Sequence, residues 1–359
     1  MLFSILENSK IEARFVGGCV RDGLLGIETD DLDLAVNADV DKIRMLLNAS
    51  EVKYLDTGIK YGSVTVLIND KKFEITSLRI DKECFGRDCT VIGTTNFEED
   101  AKRRDFTINA IYVSKSGELF DYFNGISDLI DKKIVKFIGD PSTRIEEDAL
   151  RIFRYYRMCA KLGDLRNEYH DAIKQKVECI SKISIERVQK ELFPILISEH
   201  SFKIIQFMIE AEVLNKVFSV INVDKLFEIT HSLLGLEGRL YLLFETEELL
   251  SKLRLKRASK SQIKSYKNFE AESQLYSLYK KGKAFLREIQ EIQRIKFGIG
   301  NKLPEILCDP MPVFPLNFTD LPSNTKDAHK RIVECERWWV NHNFQKNKEE
   351  CLKHIEQIN

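Results

Sequence analysis

The chain has 359 residues, of which 43% are hydrophobic and 31% charged, with a formal net charge of −1. That length exceeds what one hydrophobic core ordinarily serves, and the composition is that of a folded globular protein, so two or more packed units are expected and long disorder is excluded. No apolar run approaches the length of a bilayer-spanning helix, and the balanced charge supplies no bulk attraction to nucleic acid.

The opening segment, Met1 to Glu7, lacks a basic region and a full apolar stretch, so no signal peptide is expected. Eight cysteines are scattered without a Cys-x-x-Cys pair. They read as reduced thiols in a cytoplasmic protein, not as disulfides or zinc ligands.

Up to about residue 140 the chain alternates short β-rich runs with Gly and Asn-Asp punctuation, which predicts an α+β unit. Arg14-Phe15-Val16 reads as a strand that runs into Gly17-Gly18, with a helix to follow. Two glycines allow close backbone approach to a ligand, and Arg21 one turn later can meet a phosphate. The same pair also suits an ordinary turn. Asp31-Leu32-Asp33-Leu34-Ala35-Val36 alternates polar and apolar residues, as a half-buried strand does. Both carboxylates then face one side, where a divalent cation would relieve their repulsion and solvent is the alternative.

A helix is expected over 40–48, and two strands over 62–68 and 72–78 joined by a turn at Asn69-Asp70. On the second strand Glu74 either brings a third carboxylate beside Asp31 and Asp33 or faces solvent. A further helix is expected after Arg104; if Asp105 opens it, Asp105 and Asn109 share a face suited to phosphate and ribose hydroxyls.

Beyond Gly139-Asp140-Pro141 the apolar spacing becomes helical and strand-like alternation ends. Asp148, Arg151, Arg154 and Arg157 recur every three residues, with Leu150, Phe153 and Tyr156 able to pack behind them. This stripe fits either an anionic or base partner or a surface of ion pairs. From 252 to 302 basic residues dominate, among them Lys256, Arg257, Lys260, Lys264, Lys280, Lys281 and Lys283, with Tyr266, Tyr276, Tyr279 and Phe285 interleaved. Such a stretch can neutralise phosphates locally or form a solvated helical face, and charge alone leaves the two open. A loop is expected over 309–315 and a last long helix over 326–344; there is no internal repeat.

The ordered series Gly-Gly-x-Val-Arg-Asp at 17–22, Asp-x-Asp at 31–33, Arg-Arg-Asp-Phe-Thr-x-Asn-Ala at 103–110 and Glu-Asp-x-Leu-Arg-x-x-Arg-x-x-Arg at 147–157 resembles the class II tRNA nucleotidyltransferase and poly(A) polymerase family. Ser184 to Leu192 looks like that family's next motif, a supporting neck helix. The likeness is dense from Phe15 to about Leu196. It implies a polymerase-β-like nucleotidyltransferase head over 1–140, an all-α neck with a nucleotide-selecting helix over 141–200, and a tRNA-binding helical body and tail over 201–359.

In that family the residues matching Asp31 and Asp33 hold two Mg²⁺ ions, and those matching Gly18, Arg21 and Arg104 hold nucleotide. Asp148 and Arg151 match residues that select the base, with Arg154 and Arg157 supporting them. The implied substrates are tRNA, CTP and ATP. The stretch Asp56 to Thr65 looks more like the CCA-adding branch than the poly(A) branch. Residues 79–91 are long enough to be the flexible loop that CC-only enzymes lack. Poly(A) synthesis, partial CC or A addition, and an inactive RNA-binding homologue are the alternatives. No feature of the sequence sets an oligomeric state, and His170-Asp171 lacks the companions of a phosphohydrolase metal site.

Overall fold

The computed structural model describes residues 1–85, 88–218, 223–244, 251–269, 274–298, 312–322 and 327–358. It divides into two compact units, Met1–Val220 and Ile221–Asn359. Among the described residues no helix is long and apolar enough to cross a membrane.

In the first unit seven strands form one mixed sheet: β1 (Ala13–Val16), β2 (Asp31–Val36), β3 (Tyr54–Gly58), β4 (Ser63–Ile68), β5 (Lys71–Ser77), β8 (Ile111–Ser114) and β9 (Leu119–Asp121), in the order β3-β4-β5-β2-β1-β8-β9. Only the β2–β5 pair in this sheet is parallel, with Asp31 opposite Lys72 and Asp33 opposite Glu74. The expected β4–β5 hairpin is present, and Asn69 and Asp70 both take positive φ (50° and 62°), as a tight two-residue turn requires.

The alternation in β2 decides what each face of the sheet does. Leu34 and Val36 enter a core with Val64, Val66, Ile75, Ile43 and Leu47, under the helix Val40–Ala49. Ala35, on the opposite face, packs with Val16, Tyr112, Phe97 and Ala101. Asp31 and Asp33 share the face of Ala35, beyond the edge of that second core. The sheet therefore offers its acids from a rigid strand rather than a loop.

Three expectations need correction. The segment after Arg104 is not a helix but a single 3₁₀ turn, Thr107–Asn109, leading into β8, and the helix lies before it at Phe97–Lys102. Residues 106 to 112 are all buried, so they carry no amphipathic helical face and instead thread the core. Within 79–91 the described residues carry secondary structure that the expected flexible loop did not include: β6 (Arg79–Phe85) and β7 (Asp88–Gly93) pair as an antiparallel two-stranded sheet. Asp148 does not belong to the helix of the arginine stripe, which starts at Leu150. Asp148 has extended backbone (φ −151°, ψ 104°) in the break after the helix Pro141–Glu147.

The helix Leu150–Leu162 packs against Ile185–Leu196, burying Ile152, Phe153, Tyr156, Val188, Leu192 and Ile195. Within the second unit the helices include Arg257–Phe269, Gln274–Phe297, Ala328–Asn341 and Lys348–Gln357. Trp339, Cys335, Cys351, Tyr276 and Leu316 form its core there. The backbone breaks at Gly282 (φ 80°, ψ 179°), between Lys281 and Lys283. The final helix is shorter than expected, and residues 309–311 of the expected loop lie outside the described residues.

The turn after β9 meets the 3₁₀ turn closely. A Cβ on Gly125 would lie 2.2 Å from the carbonyl oxygen of Thr107, a contact that must push backbone. Gly125→Ala is therefore expected to destabilise the first unit by ~1–3 kcal/mol, as overpacking does. Thermal unfolding checks this, and a melting temperature unchanged within a degree would refute it.

Candidate active site

A cavity of about 800 Å³ opens over the acid-bearing end of β2, and arginines and carboxylates make up most of its wall. Such a wall suits a large polyanion bound with a cation, and no apolar ligand. Gly17, Gly18, Arg21, Asp31, Asp33, Glu74, Arg104, Asp105, Asn109, Asp148, Arg151, Arg154 and Arg157 all line it. The structure thus brings together every head and neck residue singled out from the sequence. The basic residues of the second unit, Lys256, Arg257, Lys260, Lys264, Lys280, Lys281 and Lys283, are exposed on their own helices or at their ends, and Lys280 pairs with Glu336 at 2.7 Å.

Gly17 ends β1 with φ 77°, a conformation side chains rarely adopt. A Cβ there would sit 3.6 Å from both Asp33 Oδ2 and Arg104 Nη1. The glycine therefore keeps open the space between a carboxylate and a guanidinium.

Asp31 is mostly exposed and accepts a 2.9 Å bond from Lys72 Nζ, which also lies 3.9 Å from Glu74. Asp33 sits deeper. Burial first, then the charges of Glu74 and Asp31, push its carboxyl up to about 6, against the opposing pull of Arg104 and Lys72. Burial and two neighbouring acids thus outweigh the nearby Arg104 and Lys72. Among the described residues no three His, Cys, Asp or Glu side chains form a ready-made metal cage. Two adjacent carboxylates are instead the donor set with which Mg²⁺ binds when substrate phosphate completes the shell, so the residues fit the ion.

Behind the acids runs a hydrogen-bonded chain. Buried Arg21 donates to Asn109 Oδ1 at 2.5 Å, Asn109 donates to Asp105 Oδ1 at 2.9 Å, and Arg154 Nε donates to Asp105 Oδ2 at 2.6 Å. Burial raises the Asp105 pKa, but Arg154 and Asn109 outweigh it and hold the carboxyl well below the usual range. The expected proximity of Asp105 and Asn109 survives the loss of the helix that was to create it.

The opposite wall comes from the helical part of the first unit. Arg151 Nη1 donates to Glu147 at 2.5 Å and to the Arg144 carbonyl at 2.6 Å. Arg157 donates to Glu191, which also lies 4.0 Å from Arg154. Asp148 accepts from Leu150 N at 3.1 Å through Oδ1 and from Arg187 Nη2 at 2.6 Å through Oδ2. Glu147, Arg187 and Glu191 are thus the partners that hold the stripe in shape. Lys72, Arg79, Arg103 and Tyr61 were not singled out by sequence reasoning. Arg79, Arg103 and Tyr61 line the cavity; Lys72 reaches the site only through the parallel strand register.

A family model described as the poly A polymerase head domain matches residues 13–135, and one described as a probable RNA and SrmB-binding site of polymerase A matches 164–224. The mitochondrial CCA tRNA nucleotidyltransferase 1 of Homo sapiens is 38% identical over 207 residues, covering 56% of this chain and 48% of the human protein. The CCA-adding enzyme of Lactobacillus helveticus is 38% identical over 210 residues, covering 58% and 51%. The chain thus spans about half the length of the curated relatives it matches. In fold it resembles the crystal structure of the Bacillus stearothermophilus CCA-adding enzyme in complex with CTP, with a TM-score of 0.77, 23% identity, and coverage of 99% of this chain and 95% of that one.

Proposed function

We propose that this chain, which carries the head and RNA-binding domains of the poly A polymerase family, adds C, C and A to the 3′ end of tRNA from CTP and ATP. The observation that carries this reading is one cavity holding an Asp-x-Asp pair on one wall and Asp148, Arg151 and Arg154 on the other. The named activity of the sequence relatives and the CTP bound by the structural neighbour support it. On this reading 1–140 is the catalytic head, 141–200 the selecting neck and 201–359 the tRNA-binding body and tail. The free cysteines among the described residues suit a cytoplasmic setting.

The reaction is attack of the tRNA 3′-hydroxyl on the α-phosphorus of the nucleotide, with pyrophosphate leaving. Two Mg²⁺ ions, when bound, supply charge to the attacking and leaving oxygens. Asp31 and Asp33 would hold those ions, on a strand that cannot shift without moving the sheet. Gly18, Arg21 and Arg104 hold the triphosphate, and Asn109 with Asp105 keeps Arg21 and Arg154 apart at a fixed spacing. Asp148 accepts from the exocyclic amino group that cytosine and adenine share, while Arg151 donates to the neighbouring ring nitrogen. The exposed lysines and arginines of 256–283 meet tRNA backbone phosphates rather than base edges.

The deciding assay gives purified protein and a tRNA lacking CCA either CTP, ATP or both, read at single-nucleotide resolution. Two additions with CTP and three with both nucleotides are expected. No extension, or a long A tract with ATP alone, would overturn the proposal. The β6–β7 hairpin supplies a second test, since Arg79 and Asp81 at its base line the cavity. Deleting residues 81–88 is expected to leave CC synthesis intact and slow the final A by ~100-fold, the scale of a misplaced reactant. A addition at the normal rate would remove the hairpin from the mechanism.

A further inference from the structure

We infer that Asp100, which does not line the cavity, is a positioning residue that aims the guanidinium of Arg104 at the nucleotide phosphates. The inference rests on the proposed function and deepens it. Asp100 lies in the short helix Phe97–Lys102, and its side chain is only 1% exposed. Through Oδ2 it accepts from Arg104 Nε at 3.2 Å, from Arg104 Nη2 at 3.0 Å and from the Tyr112 hydroxyl at 2.7 Å. The Tyr112 hydroxyl in turn accepts from Arg104 Nε at 3.1 Å. Nε and Nη2, along one edge of the guanidinium, are thus both occupied from behind by a single carboxylate oxygen, and these charge-assisted bonds restrict how the planar group can turn. The remaining nitrogen, Nη1, stands in the cavity beside Gly17 and Asp33.

The other oxygen, Oδ1, accepts from Arg103 Nε at 2.8 Å and from the Arg79 backbone N–H at 3.4 Å. One buried carboxylate therefore joins two cavity-lining arginines to the base of the β6–β7 hairpin. Burial raises the carboxyl's pKa, but Arg104, Arg103 and the Tyr112 hydroxyl together hold it well below the usual range, so it stays charged. A carboxylate needed only to tie the helix to β8 would not have to meet Arg104 on the one edge that leaves Nη1 facing the acids.

The test is a double-substitution cycle in the full chain: wild type, Asp100→Asn, Arg104→Ala and both together. Asp100→Asn is expected to raise the KM for CTP ~10-fold, to change kcat by less than about threefold, and to leave tRNA affinity unchanged. In the Arg104→Ala background the same substitution is expected to change the KM by less than about twofold, because its effect passes through the missing guanidinium. An equal loss in both backgrounds, or a loss of tRNA affinity in step with the KM, would overturn the inference. If Asp100→Asn does not fold, Tyr112→Phe, which removes only the hydroxyl, takes its place in the same cycle with an expected effect of ~3-fold. Tripolyphosphate binding by the same four proteins separates the two levels of argument. Wild type without CTP turnover sinks the proposed function, whereas tripolyphosphate binding whose dependence on Asp100 ignores Arg104 sinks this one.

Discussion

Asp33→Asn is expected to lower nucleotide incorporation by at least ~1,000-fold, equivalent to ~4 kcal/mol of transition-state stabilisation, while tRNA affinity stays within about twofold. The size of the loss follows from what the carboxylate is for. Phosphoryl transfer asks little of a protein beyond position and charge, so removing a charged anchor of the cation removes most of the catalysis. Stability is expected to move the other way. Asp33 sits with its carboxyl pushed up to about 6 by burial, Glu74 and Asp31, so its charged form is disfavoured by the fold at neutral pH. A neutral amide of the same shape relieves that repulsion, and the melting temperature should hold or rise. Asp31→Asn should lose activity similarly, although it also releases Lys72 from its 2.9 Å pairing. Single-turnover incorporation, tRNA binding and thermal unfolding measured together check the claim. Retained turnover in either variant would remove the metal site from the mechanism.

That separation of activity from stability marks what the sequence could and could not carry. The period of β2 was legible: alternation alone puts Asp31 and Asp33 on one face and Leu34 and Val36 on the other. The adjacency of Asp33 and Glu74 was not. It depends on β5 lying parallel to β2 after the chain has run through β3 and β4, and no local pattern encodes which strands become neighbours. Lys72 is illegible for the same reason, since only that register brings it to Asp31.

A capping residue at Asp105 predicts a helix after Arg104, but capping chemistry carries no information about burial. Every residue from Phe106 to Tyr112 is inside, and a chain buried on all sides shows no amphipathic period to read. A spacing of three puts Asp148 on the arginine helix, yet its extended backbone ends one helix and its side chain accepts from Leu150 N at the start of the next. The constellation survived these local errors because its members were identified by chemical type in chain order. The fold then supplied the distances.

The placement of Asp148 matters most for base choice, and Asp148→Ala is expected to lower the preference for CTP over UTP, in kcat/KM, by ~100-fold. Held in the break between two helices, the carboxylate is fixed by Leu150 N on one oxygen and Arg187 on the other. It presents acceptors only. Cytosine and adenine bring an amino donor to such a group, whereas uracil and guanine bring a carbonyl that would stand unpaired against a negative charge. Alanine removes the repulsion, so the loss should appear more as acceptance of UTP than as failure to use CTP. It also strands the Arg187 guanidinium, a donor that a uracil carbonyl can satisfy. Asp148→Asn separates the two causes: an amide keeps an acceptor for cytosine and can turn its donor toward uracil, so it should accept both bases. Arg151→Ala should weaken CTP and ATP together, since the ring nitrogen it would meet is common to both. Discrimination that survives the loss of Asp148 and Arg151 would place base selection elsewhere in the cavity, and leave the stripe as the ion-paired surface that its contacts with Glu147 and Glu191 also fit.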